Sequence, residues 1–95
     1  MSTPYAASPI FDERSLPNAL RNDHRIKAGT WGLLRVLEGE VQLIFTEPHT
    51  QLLVTPTHPA IIAPQETHYV VSVGPMRMQV EFFRERPNVE PSANG

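Results

Sequence analysis

The chain has 95 residues, which is one small domain and no more. It has no cysteine, so disulfides, thiol catalysis, iron–sulfur clusters and Cys-based zinc sites are excluded. The formal net charge is −2 and the eight basic residues, with Lys27 the single lysine, are scattered, whereas a nucleic-acid partner needs a basic face.

Residues 1–16 combine Pro4 and Pro9 with little apolar pattern and are expected to be an irregular N-terminal segment. The opening lacks the basic and apolar regions of a leader. No apolar stretch approaches the roughly 20 residues that span a bilayer. A cytoplasmic location and no membrane partner are therefore expected. The ordered domain is expected over residues 17–86, with 87–95 a flexible tail.

From residue 31 onward, short apolar runs alternate with turn residues, which predicts an all-β sandwich or barrel. Prolines at 48, 56, 59, 64 and 75 would break any longer helix. Around Glu38-Gly39, the runs Leu33–Leu37 and Glu40–Phe45 predict a hairpin, since a two-residue turn suits glycine. That register pairs Val36 with Val41 and Leu34 with Leu43 on one apolar face shared with Phe45. Arg35 and Gln42 then pair on the other face. Gln51–Val54 reads as a further strand, and Pro59–Pro64 as a short one bounded by its prolines. A second hairpin is predicted at Gly74-Pro75, pairing Val73 with Met76, Val71 with Met78 and Tyr69 with Val80. On its opposite face Ser72 meets Arg77, Val70 meets Gln79 and His68 meets Glu81. Cross-strand Cβ atoms lie about 5 Å apart, so His68 and Glu81 are close enough to share one ion. A slip of one residue would separate them.

The blocks Leu16-Pro17, Asp23 to Gly32, Val36-Leu37-Glu38-Gly39, Pro64 to His68 and Val80 to Phe83 resemble the TehB/YeaR-like branch of the cupins, a family named for its link to tellurite resistance. The resemblance covers about residues 16–86. It implies a cupin-type double-stranded β-helix, a jelly-roll barrel, with a small pocket at one mouth. It also implies that the strand of His24 lies beside His68 and Glu81, and that the mouth holds a divalent metal such as zinc, iron, nickel or manganese. Two imidazoles and a carboxylate are a donor set for zinc or non-haem iron with positions left open. An ordinary hydrogen-bonded His–Glu pair is the alternative. No nucleotide-binding loop accompanies these blocks, so methyltransferase activity is not expected.

The candidate ligand-binding residues are Lys27, Trp31, Arg35, Arg77 and Gln79. Lys27 suits an anion or a substrate carboxylate. On a regular strand it points away from His24 unless a bulge near Ala28-Gly29 re-aims it. Trp31 lines the pocket or packs. Arg35 is a pocket group or a solvated one. Arg77 and Gln79 share the fate of the His68/Glu81 face. Three functions are compatible with these residues. One is a binding domain for a small molecule or oxyanion. The second is a metal-dependent enzyme, dioxygenase-, isomerase- or hydrolase-like, on the same site. The third is an oligomerisation module with a vestigial pocket. A homodimer is expected because short sheets leave open edges.

Overall fold

The computed structural model describes residues 3–88. The predicted all-β character is realised, with a single four-residue helix. The elements are β1 (Ala6–Ala7), β2 (Phe11–Asp12), α1 (Asn18–Arg21), β3 (Trp31–Glu38), β4 (Val41–Thr46), β5 (His49–Val54), β6 (Ala60–Ile62), β7 (His68–Ser72) and β8 (Arg77–Phe83). No helix among the described residues is long and apolar enough to cross a membrane.

The strands form two separate antiparallel sheets, where a closed barrel was expected. One sheet runs β1-β8-β3-β6, with β2 also on β8, and the other runs β5-β4-β7. This topology overturns both predicted hairpins. The chain leaving β3 at Glu38 turns at Gly39 and enters the other sheet as β4. After β7 it returns at Gly74-Pro75 to the first sheet as β8. Strand β3 pairs with β6 and β8, and β4 pairs with β5 and β7. Strands β4 and β5 alone, of the consecutive pairs from β3 on, form a hairpin, closed by Thr46 opposite His49 around a cis Glu47–Pro48 bond.

The apolar alternation of the first predicted hairpin is nonetheless correct. Leu34, Val36, Val41, Leu43 and Phe45 all belong to one buried cluster with Val54, Ile62, Val70, Met78 and Val80. They face each other across the space between the sheets, not along a hydrogen-bonded ladder. The face of β7 that lines the interior, left open by the sequence, is the one that carries His68. His68 and Val70 are buried, while Tyr69 and Val71 look outward. The two polar residues of the strand, His68 and Ser72, share a face with Val70 and not with Tyr69 and Val71, so period two alone leaves the face open.

The N-terminal segment is not irregular throughout. Ala6 and Ala7 pair with Phe82 and Glu81, and Phe11 and Asp12 pair with Met78 and Arg77. Each strand is two residues long because Ser8-Pro9 interrupts the ladder; proline has no N–H to donate. Ser8 bridges the gap: its amide donates to the Val80 carbonyl at 2.8 Å, and its Oγ accepts from the Val80 amide at 3.0 Å. The tail expected over 87–95 lies, from residue 89, outside the described residues.

Candidate functional site

The chain leaves α1 at Asn22 in an extended conformation and meets β7 at a single point. There His24 and His68 exchange both backbone hydrogen bonds, at 2.8 and 2.9 Å. Two residues further on, the Ile26 carbonyl accepts from the Gln65 amide at 2.7 Å. The 63–66 turn, Ala-Pro-Gln-Glu, is stiffened by Glu66, whose carboxylate accepts from the Ala63 amide at 3.1 Å. These bonds fix His68 at the start of β7.

The two imidazoles pack edge to face, with ring centroids 5.5 Å apart. His68 is 2% exposed and also packs against Phe45. Its Nδ1 lies 2.8 Å from the Glu66 carbonyl oxygen. A carbonyl only accepts, so Nδ1 carries the proton. Burial pushes the His68 pKa below its ordinary value, against the upward pull of the Glu66 carbonyl; the nearby His24 pushes it further down. The ring is therefore neutral at pH 7 and Nε2 is a bare acceptor. Nε2 has no partner among the described residues, and no fully buried side-chain nitrogen there lacks one, so Nε2 is open to the adjoining space.

That space is a cavity of about 130 Å³ between the sheets, walled by Phe11, Leu34, Ile62, Val70, Val80 and Phe82 together with the two histidines. Beside it lies a wider, more open cleft of about 370 Å³. His24, Ile26 and Phe82 are walls of both. The cleft adds Arg25, Lys27, Tyr5 and Thr30, and no acidic side chain lines it. Arg25 Nε donates to Thr67 Oγ1 at 2.6 Å, and the Tyr5 and Thr30 hydroxyls are 3.2 Å apart. Lys27 reaches the cleft because the chain turns there, the Thr30 amide donating to the Lys27 carbonyl at 3.2 Å. The regular-strand argument that aimed Lys27 away from His24 does not apply to a turn.

Residues 7–80 match the model of the TehB-like domain. The chain belongs to the TehB-like domain family. Among solved structures, TehB from Haemophilus influenzae is similar over 85% of this chain, with 28% identity and a TM-score of 0.76. The TehB-like domain here spans only 30% of that longer protein. A protein from E. coli (strain K12) matches 92% of this chain and is covered over 93% of its own length, with a TM-score of 0.77. At 18% identity it shows a shared fold. No curated protein matches the chain.

Of the sequence-predicted site residues of this TehB-like domain, His24, His68 and Lys27 come together around the cavity and cleft. Glu81 does not. It lies on the outer face of its sheet, since Val80 and Phe82 on either side point inward, and it accepts from Arg35 Nε at 2.7 Å. Among the described residues no group of three or more His, Asp or Glu side chains is placed to hold a metal. Arg35, Gln79 and Arg77 share that outer face: Gln79 donates to the Ser8 carbonyl at 2.9 Å and Arg77 pairs with Glu38 at 3.1 Å. Trp31 also faces outward, under the Arg86 guanidinium 5.6 Å from its ring. The physical reason is common to all of them: they alternate with the inward residues of β3 and β8. The sequence reading missed Arg25, Tyr5, Thr30 and Phe82. Arg25, next to His24, is the one with a signal, a second cation beside Lys27 in a stretch free of acids after Asp23.

Proposed function

We propose that this TehB-like domain is a non-catalytic binding module for a small molecule, held between the sheets against His24 and His68. The observation that carries this reading is an apolar cavity whose one buried polar wall is an imidazole with a free acceptor nitrogen. An apolar cavity of about 150 Å³ accommodates benzene in other proteins, so about 130 Å³ suits one ring or a short branched chain. A ring bearing a hydroxyl satisfies His68 Nε2 as well. Turnover has little support, since neither space is lined by a carboxylate or by a hydroxyl paired with a base.

The cupin-type jelly roll belongs to the same proposal. Counting the His24 bridge as a reduced strand beyond β7, and β1 and β2 as one interrupted strand on β8, each sheet is four-membered, and the chain changes sheet after β3, β5, β6 and β7. Two four-stranded sheets connected in this way are the pattern of a jelly roll.

The divalent metal implied by the resemblance finds two imidazoles here, one short of the three protein ligands of a catalytic zinc site. The donor set does not fit a resident metal, and the ligand reading stands first. An oxyanion is the second reading, favoured by Arg25 and Lys27 in a cleft lined by no acid. A link to tellurite resistance rests on the family alone. A homodimer is supported by the edge strand β5 and by Leu53 and Val71, 52% and 39% exposed on the outer face of its sheet.

The test is methyl NMR during titration with benzene and then phenol. Shifts are expected at Ile62, Val70 and Val80, with Val54, outside the cavity lining, unmoved, and phenol binding tighter than benzene. Absence of shifts at the cavity methyls overturns the reading.

A further inference from the structure

The geometry points to a ligand class: a small organic anion, one apolar ring or short branched chain joined to a carboxylate or similar acid. This rests on the cavity reading above and adds the charge. The apolar part fills the cavity, and the acid group emerges between His24 and Phe82, which belong to both spaces, into the cationic cleft.

Four observations carry it. The cleft holds two cations and no acid, in a chain whose net charge is −2. Lys27 has no ion-pair partner among the described residues, whereas the ion pairs of Glu38 and Glu81 lie on the far face of the sheet. A third cation stands at the rim, the Arg84 guanidinium lying 4.4 Å from the ring of Tyr5, a cleft residue. Arg25 is held by Thr67, so one donor fork is oriented before any ligand arrives. The cavity itself excludes a bare inorganic anion, since its walls are apolar and the neutral His68 offers an acceptor, not a donor.

The experiment compares benzoate, benzyl alcohol, benzene and inorganic sulfate on the full chain at low ionic strength, by NMR titration. Benzoate is expected to bind about tenfold tighter than benzyl alcohol, the scale of one charge-assisted hydrogen bond. That preference is expected to disappear in Lys27→Met combined with Arg25→Gln, both exposed positions whose replacement leaves the core intact. Sulfate is expected to bind more weakly than benzoate. If benzene binds but benzoate gains nothing over benzyl alcohol, or keeps its advantage in the double variant, the anionic ligand class is wrong and the cavity reading survives. If sulfate matches benzoate, the cleft alone is the site and the inference falls. If benzene fails to bind, both fall together.

Discussion

His24 and His68 are bound to each other twice through their backbones while their rings meet edge to face, 5.5 Å between centroids. The pair is a mutually hydrogen-bonded antiparallel couple, so neither ring can shift along the chain without breaking two bonds. It makes a rigid corner between the two sheets and fixes one wall of the cavity.

One consequence is a pH dependence. The unfolded His68 takes up a proton near its ordinary value of 6.5, and the folded ring resists it because burial penalises the charge. The stability this ring contributes is therefore complete above pH 6.5 and is lost as pH falls below it, until the folded ring protonates too. Urea midpoints of the wild type are expected to fall between pH 7 and pH 5, and His68→Gln to show a flatter profile. Parallel profiles would show that His68 does not carry the dependence.

The turn that carries the chain from β3 to β4 makes a second prediction. Gly39 sits at φ +73°, and a Cβ there would collide with the Pro75 carbonyl oxygen and press on Met76. The obstacle is backbone, which cannot swing aside. Gly39→Ala is expected to cost about 1–3 kcal/mol, adding strained φ to the clash, measurable by urea unfolding. A neutral substitution would mean that this connection is not held as described.

Gly32 behaves differently. A Cβ there would meet the end of the Ile26 side chain at 2.5 Å, with Ile62 and Val80 at 3.6 Å. The Ile26 tip is free to move, and Ile26 lines both spaces. Gly32→Ala is expected to cost only about 1 kcal/mol, the low end for overpacking, yet to weaken benzene binding. Unchanged benzene affinity would place the ligand away from Ile26.

Glu81 supplies the fourth. Its ion pair with Arg35 lies on a half-exposed face, where such pairs are worth at most about 1 kcal/mol. Glu81→Gln is expected to change stability by no more than that and to leave benzene binding untouched. After incubation with zinc, iron, nickel or manganese and dialysis, wild type and variant are both expected to carry well under one equivalent by elemental analysis. A full equivalent lost in Glu81→Gln would return Glu81 to a metal site.

Much of this fold is legible in the residues. Alternation at Leu34-Val36 and Val41-Leu43-Phe45 identifies the inward side chains, because burial depends on the face alone. It does not identify the partner strand. Glycine at 39 and Gly-Pro at 74–75 signal reversal of the chain, and a reversal into the same sheet or into the facing one uses the same residues. Choosing the same sheet set His68 opposite Glu81, whereas its neighbours are Phe45 and His24. The cavity was less legible still, since Phe11 and Phe82 reach it from β2 and β8, near opposite ends of the chain, and no local pattern joins them.

The N-terminal seam has a dynamic meaning. Ser8 and Phe11 wall the cavity and Tyr5 walls the cleft, yet the segment from 5 to 12 is stitched to β8 by two stubs of two residues and the bonds of Ser8. Sub-global opening draws on the weakest cooperative unit, and this flap is far slighter than the eight- and seven-residue strands behind it. A guest of the proposed cavity would thus exchange while both sheets remain folded, its dwell time set by how often a short hem lifts.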